Sequence, residues 1–584
     1  MSVAFVKCLS TGFRLPEAKT RASYKSRDVL FVGSDFGPDS LTDSGYPRTV
    51  REWVRGTPIE DAPTVFEGEK TDVSVSSWID DQRHRGGARE AMYEVRSRSL
   101  TFYTARYWIR KVEYEHLLAP DDPKRLNAAV KGPPEFVEVD VQRDAEIDLF
   151  ANLLLISLRS DWTVGGKTYK KGSLLSVDYD EFMTKGKDES EFAVLFEPTE
   201  RTALETYSTT KNYFILAIMD NVKSKLVFMK LDPASGKLEE VGGDAEARIR
   251  ATHVGGYDQY DSDRFWFTTS GFLQPSTLYM ADAERVQTAG SLEGVEQETA
   301  LDPYIVEELR SLPPQFDSTD LEVVQRVAVS KDGTDVPYFL VYKKGTKMDG
   351  NTPTLLYGYG GFEVSLTPHY IAAVGATWLN RGGAYVEANI RGGGEFGPKW
   401  HQAALKENRN RAYEDFIAVA EDLCASGLCK PKSLGVRGGS NGGLLVGNML
   451  VMRPDLFGAI TCAVPLLDMK RYHLLLAGAS WMAEYGDPNT DDWEKFLHKY
   501  SPYHNIVHDA NYPPILFTTS TRDDRVHPAH ARKMVKKLTD MGKGRWPVYY
   551  YENIEGGHGG AADAKQQAFM TALAYDFLWD TLSE

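Results

Sequence analysis

Ser440 stands in Arg437-Gly438-Gly439-Ser440-Asn441-Gly442-Gly443, where a Gly-x-Ser-x-Gly pattern joins two elements of different kind. Ser433-Leu434-Gly435-Val436 ahead of it reads as a short buried strand, and residues 444–450 behind it read as the apolar start of a helix. So sharp a strand-to-helix turn pushes its serine into strained backbone space and leaves room only for glycine beside it. The hydroxyl then stands clear of the sheet, and the Asn441 amide points where an oxyanion would form. That is the equipment for nucleophilic acyl transfer. A serine nucleophile also needs a base to take its proton and a carboxylate to fix the base's tautomer.

Both partners have candidates downstream, in the order serine, acid, histidine that α/β-hydrolases use. Pro514-Ile515-Leu516-Phe517-Thr518-Thr519 reads as a buried strand running into Arg522-Asp523-Asp524-Arg525-Val526. Val548-Tyr549-Tyr550-Tyr551 reads as a further strand, followed by Glu555-Gly556-Gly557-His558-Gly559-Gly560. Each candidate therefore lies just past the carboxyl end of a strand, where open α/β sheets place their sites. Glycines around His558 give its ring room to swing between serine and leaving group. Of the twelve histidines, His527 and His530 open the helix after the acidic loop and read as capping or surface residues, and His504 has no helpful flank. Between Asp523 and Asp524 the residues leave the choice open, because one could orient His558 while the other caps the helix at Pro528.

The elements that must hold these residues follow from periodicity. After about residue 315, Val327-Ala328-Val329, residues 337–342, Thr354-Leu355-Leu356 and Ala384-Tyr385-Val386 read as strands, while Tyr413, Phe416, Ile417, Ala420 and Leu423 recur at helix spacing. Strands alternating with helices mean a mostly parallel sheet covered on both faces. From about residue 20 to 310 the pattern is all β. Short apolar runs begin at Val29, Ser99, Leu153, Tyr213, Lys225 and Arg264, separated by turns such as Asp220-Asn221 and residues 232–237. Strand–turn–strand units of roughly 40–50 residues suggest a β-propeller, with a pair of β-sandwiches as the alternative. Residues 303–314, with the Pro313-Pro314 pair, read as the linker. The expected domains are 1–310 and 315–584.

Composition narrows the partners. At 584 residues there is room for several domains of core, and a net charge of −16 without a basic cluster argues against nucleic acid. No apolar run approaches the roughly 18 residues of a membrane span. Four cysteines make no disulfide framework. Cys424 and Cys429 bracket Ala-Ser-Gly-Leu, but no second pair or histidine set completes a zinc site, so neither metal nor cofactor is expected. Residues 1–15 lack the apolar core of a signal peptide. The expectation is a cytoplasmic monomer.

Tyr357-Gly358-Tyr359-Gly360-Gly361-Phe362, Asn389-Ile390-Arg391-Gly392-Gly393-Gly394-Glu395-Phe396-Gly397, Gly438-Gly439-Ser440-Asn441-Gly442-Gly443, Tyr500-Ser501-Pro502, Asp523-Asp524-Arg525-Val526 and Gly557-His558-Gly559 occur in one order. Together they resemble the prolyl oligopeptidase family of serine peptidases, densely over roughly residues 315–584. The resemblance implies an α/β-hydrolase domain joined to a β-propeller that covers the active site and admits only short peptides. It implies a triad of Ser440, Asp523 and His558, and Tyr359 donating its phenol hydrogen to the oxyanion beside the Asn441 amide. It implies Arg525 holding a substrate carbonyl, and Phe362, Tyr500 and Val526 lining the pocket for the residue before the scissile bond. From the residues alone, Tyr359, Phe362 and Tyr500 could be plain core aromatics, and Arg525 could merely pair with Asp524.

In strict prolyl peptidases a tryptophan lies four residues before the tyrosine of Tyr-Ser-Pro. Here that position is Phe496, with Trp493 three residues earlier, so the stacking face for proline is smaller. Cleavage after arginine or lysine would want acids in the pocket, for which Glu484, Asp487, Asp491 and Asp492 lie nearby in sequence. Proline stays ahead, with another peptide specificity or an esterase activity as alternatives. Family members usually open with a long helical segment, whereas this chain begins near Phe13-Arg14-Leu15, a point that looks already inside the propeller. That implies a missing N-terminal segment, with any signal toward the periplasm it carried. It also raises the alternative of an inactive scaffold with open strand edges.

Overall fold

A computed structural model describes residues 12–83, 91–124, 133–287 and 302–583. Most of the stretch read for a signal peptide, residues 1–11, lies outside the described residues. By internal contacts the chain divides into two units, Met1–Phe196 with Leu231–Lys237, and Glu197–Lys230 with Leu238–Glu584.

The first unit carries three four-stranded antiparallel sheets, spanning residues 21–67, 74–138 and 146–196, each in simple up-and-down order or close to it. The second unit begins with two more, at residues 202–243 and 251–311. This repeated four-stranded meander is the blade of a β-propeller. Apolar runs beginning at Val29, Leu153, Tyr213, Lys225 and Arg264 all fall in strands, and Asn221 and Val222 turn the corner with φ of 51° and 64°. The run from Ser99 to Tyr103 does not form the expected strand. The strand Met92–Ser99 ends there, and Leu100 and Thr101 turn back onto Thr104, whose carbonyl takes the Leu100 amide at 2.8 Å. Residues 303–314 are not a free linker either. Ile305–Ser311 pairs as the outer strand of the last blade, because its amides find partners along Thr277–Asp282. The change from all-β to α/β thus falls between Ser311 and Leu321, later than the division by contacts.

The eight-stranded sheet holds the site. Its strands are β1 (Leu321–Val329), β2 (Asp335–Lys343), β3 (Thr354–Gly358), β4 (Ala384–Ala388), β5 (Leu434–Gly439), β6 (Ala459–Ala463), β7 (Ile515–Ser520) and β8 (Val548–Asn553). They lie in the order β1-β2-β4-β3-β5-β6-β7-β8. Pairings β1–β2 and β2–β4 are antiparallel, and all the others are parallel. Side chains alternate between two buried cores. Tyr338, Leu340, Leu356 and Val386 join one, and Phe339, Val341, Leu355 and Tyr385 join the other. A sheet buried on both faces needs continuous apolar strands, which is why these segments lack a polar alternation.

Four helices cover the sheet: α1 (Asn410–Ala425), α2 (Asn441–Met452), α3 (Ala529–Gly542) and α4 (Ala564–Leu582). Ala412, Tyr413, Phe416, Val419, Ala420 and Leu423 form the buried stripe of α1. Residues 441–450 of α2 are all buried, so that helix runs through the core rather than over it.

Candidate active site

The turn between β5 and α2 is as tight as the sequence requires. A Cβ on Gly438 would sit 2.1 Å from the Gly442 carbonyl oxygen, and one on Gly443 would meet Pro465 Cβ at 2.7 Å. Ser440 takes φ 58° and ψ −117°, a conformation that a non-glycine residue holds only when its surroundings impose it. Here its amide donates to Ala463 O at 2.9 Å, and its carbonyl accepts the Leu444 amide at 3.1 Å. Asn441 opens α2, so its N–H has no acceptor within the helix and lies at the positive end of the helix dipole.

The ambiguity between the two acids is resolved by geometry. Asp523, 4 % exposed in the loop after β7, has its Oδ2 2.7 Å from His558 Nδ1. Its Oδ1 accepts the amides of Arg525 at 3.0 Å and Val526 at 2.9 Å. A carboxylate fixed this way keeps the proton on Nδ1 and leaves Nε2 as the basic nitrogen. Asp524 is exposed, and α3 starts at Pro528 without a side-chain cap. His527 instead takes the Ala529 amide on its Nδ1 at 3.0 Å. His530 is buried rather than a surface residue, accepting the Leu467 and Asp468 amides, and burial pushes its pKa down to about 4. His504 bonds Ser501 at 2.8 Å. His558 is carried by the loop after β8, which Asn553 braces by accepting the Glu555 and Gly556 amides.

Tyr359, directly after β3, faces Ser440. Burial raises the pKa of its phenol, while the Ser440 hydroxyl and the charges of Arg409 and Arg525 oppose the rise. The phenol is therefore a neutral donor. Arg525 is exposed, with its charge felt at Tyr359, and Val526 is buried in the main core.

Phe362, Tyr485, Tyr500 and Phe496 form one aromatic cluster. Phe362, held at φ 56°, places its ring edge-on to Tyr485, with centroids 5.6 Å apart. Tyr485 also donates its hydroxyl to Asn441 Oδ1 at 2.8 Å, so this tyrosine adjoins the residue after Ser440. Tyr500, 1 % exposed, sits one layer behind, where its hydroxyl donates to the Tyr485 carbonyl at 2.6 Å and its ring stacks on Phe496. Phe496 is itself 7 % exposed within the core. Tyr500 and Phe496 are thus both buried, with Tyr485 joining Tyr500 to Asn441. The acids near this segment are engaged. Glu484 is fully buried against Arg409 and His401, Asp492 accepts the Asp487 amide, and Asp491 meets Lys495.

Among the described residues no group of three or more His, Cys, Asp or Glu side chains could hold a metal ion, and no helix is long and apolar enough to cross a membrane.

Comparison with known proteins gives the family. Residues 370–584 match the model of the prolyl oligopeptidase family, and residues 162–289 match its N-terminal beta-propeller domain. The chain is 37 % identical over 578 residues to an uncharacterized peptidase of Sinorhizobium fredii, covering 98 % of this chain and 73 % of that protein. A prolyl endopeptidase of Elizabethkingia meningoseptica is 42 % identical over 238 residues, covering 41 % of this chain and 34 % of its own length. The solved structure of a post-proline cleaving enzyme from Rickettsia typhi superposes with a TM-score of 0.84 at 31 % identity, covering 98 % of this chain and 78 % of that one. With its β-propeller and α/β-hydrolase domains, this chain belongs to the prolyl oligopeptidase family of serine peptidases.

Proposed function

We propose that this protein is an endopeptidase that cleaves short peptides after proline, with Ser440 as nucleophile, His558 as base and Asp523 as the acid that orients the base. The observation that carries the reading is the 2.7 Å Asp523–His558 contact in a domain whose strained elbow residue is Ser440. His558 Nε2 takes the Ser440 proton as Oγ bonds to the carbonyl carbon of the proline residue. The oxyanion accepts hydrogen bonds from the Asn441 amide and the Tyr359 phenol. The carbon–nitrogen bond then breaks, and His558 hands the proton to the leaving amine. Water adds to the acyl-enzyme by the same proton transfers, releasing the acid and restoring Ser440.

Proline preference is supported by the aromatic pair Phe362 and Tyr485 and by the engagement of Glu484 and Asp492, which argues against arginine or lysine. Two of the relatives named above bear prolyl or post-proline names, in the same direction. A fluorogenic peptide panel varying the residue before the cleaved bond tests the reading. Cleavage after proline should dominate and vanish in Ser440→Ala. Equal cleavage after proline, alanine and arginine would defeat the specificity, and near-normal activity of Ser440→Ala would defeat the mechanism.

A further inference from the structure

Behind the oxyanion donors lies a buried polar array that the acyl-transfer steps do not use. The Asn441 side chain is fully buried and tied at both ends. Its Nδ2 donates to the Tyr359 carbonyl at 2.7 Å, and its Oδ1 accepts from Arg409 Nη2 at 2.5 Å and from the Tyr485 hydroxyl. One side chain thus links the two oxyanion donors, since Asn441 supplies its own amide and grips the backbone of Tyr359. Arg409 is fully buried too, and Glu484 balances its charge, with Oε1 2.7 Å from Nη1. The same Glu484 Oε1 accepts the amide of Phe362, and its Oε2 lies 2.8 Å from His401 Nε2. The backbone is shaped to admit this array. A Cβ on Gly361 would stand 2.5 Å from Asn441 Nδ2 and 2.9 Å from Arg409 Nη2.

We infer that Arg409, anchored by Glu484, is a positioning residue that sets the Asn441 side chain and so holds the Asn441 amide and Tyr359 in register with the oxyanion. The inference rests on the peptidase reading above and extends it from the donors to the residue that aims them. Only a planar guanidinium can face Glu484 with one nitrogen and Asn441 with another. A lysine keeps the charge but not the fork. Arg409→Lys therefore separates aim from charge, whereas removing the charge outright would leave the buried Glu484 carboxylate with only His401 and the Phe362 amide and perturb the fold.

The experiment measures Arg409→Lys and Tyr485→Phe with a prolyl substrate and with a peptide prolinal, whose aldehyde adds Ser440 to form a hemiacetal oxygen in the oxyanion site. In Arg409→Lys, kcat should fall about ten- to a hundredfold, the range that a small misplacement produces. KM should move less than about threefold, and prolinal affinity should fall in step with kcat. In a Tyr359→Phe background the same Arg409→Lys change should cost clearly less than in the wild-type background, because one of the two donors it aims is already gone. Tyr485→Phe, which removes only the second donor to Asn441 Oδ1, should show the same pattern more weakly. Raised KM with unchanged prolinal affinity, equal losses in both backgrounds, or a lowered Tm with kcat per folded molecule intact would each overturn the inference. A wild-type protein that cleaves no prolyl peptide and takes neither prolinal nor a fluorophosphonate would sink the peptidase reading and this inference with it.

Discussion

Asp523→Asn is the sharpest single test of the site, because the two oxygens of Asp523 have different tasks. Oδ1 accepts the Arg525 and Val526 amides, and Oδ2 faces His558 Nδ1. Asparagine can keep the first task by turning its carbonyl to the two amides, but its NH2 then faces His558. Two donors cannot share one bond, so the imidazole must present a bare Nδ1 and carry its proton on Nε2, the nitrogen that has to accept from Ser440. Misplacing that proton costs serine hydrolases of other folds about 10⁴-fold in kcat, which corresponds to about 5.5 kcal/mol of lost transition-state stabilisation. The fold should lose little, since both amides keep their acceptor. Asp523→Ala would orphan them at about 1–3 kcal/mol each. Steady-state kinetics on a prolyl substrate, with thermal melting of the same samples, separates the two effects. Asp523→Asn retaining activity within tenfold of wild type while folded would refute the assignment, and a 10⁴-fold loss in Asp524→Asn instead would transfer the role to its neighbour.

Three further outcomes follow from the geometry. Tyr359→Phe should lower kcat by about 10²-fold with little change in KM, as expected for one oxyanion donor, and equal turnover by the variant would remove Tyr359 from the site. Phe496→Ala should destabilise the core by about 3–5 kcal/mol, with kcat/KM per folded molecule preserved; a loss of kcat/KM for prolyl substrates without a shift in Tm would instead put Phe496 against the substrate. Burial raises the pKa of Glu387, fully enclosed on β4, from its ordinary 4.5 to about 7. Its stabilising protonation is therefore complete below pH 4.5 and lost as pH rises through 7, at about 1.4 kcal/mol per unit of pKa difference. The Tm difference between Glu387→Gln and wild type should accordingly grow in favour of the variant from pH 5 to pH 8, and a constant difference would contradict the raised pKa.

What the sequence disclosed and what it hid divide along a physical line. The elbow at Ser440 was legible because backbone sterics act locally. Gly438 and Gly443 face carbonyl oxygens and Pro465 at distances no Cβ tolerates, so the turn is written in glycine. The strands of the eight-stranded sheet were legible because burial on both faces demands unbroken apolar runs. Asp523 could not be told from Asp524, because two adjacent acids differ only in which way a loop turns them. Tyr485 could not be told from Tyr500, because both are equally buried tyrosines near one another, and only the direction of their hydroxyls separates them. Tyr500 points at a carbonyl of the chain, whereas Tyr485 points at Asn441. Arg409 was invisible for a stronger reason. A charged residue in an Asn-Arg-Asn-Arg run reads as solvated surface, and its partner Glu484 lies 75 positions away. Yet this hidden pair explains a residue choice that the elbow alone leaves open. Any residue after the nucleophile would supply a backbone amide to the oxyanion. Asparagine supplies in addition a short amide side chain, one end of which holds Tyr359 while the other meets Arg409 and Tyr485. On the proposed mechanism, the identity of position 441 serves the second oxyanion donor as much as the first.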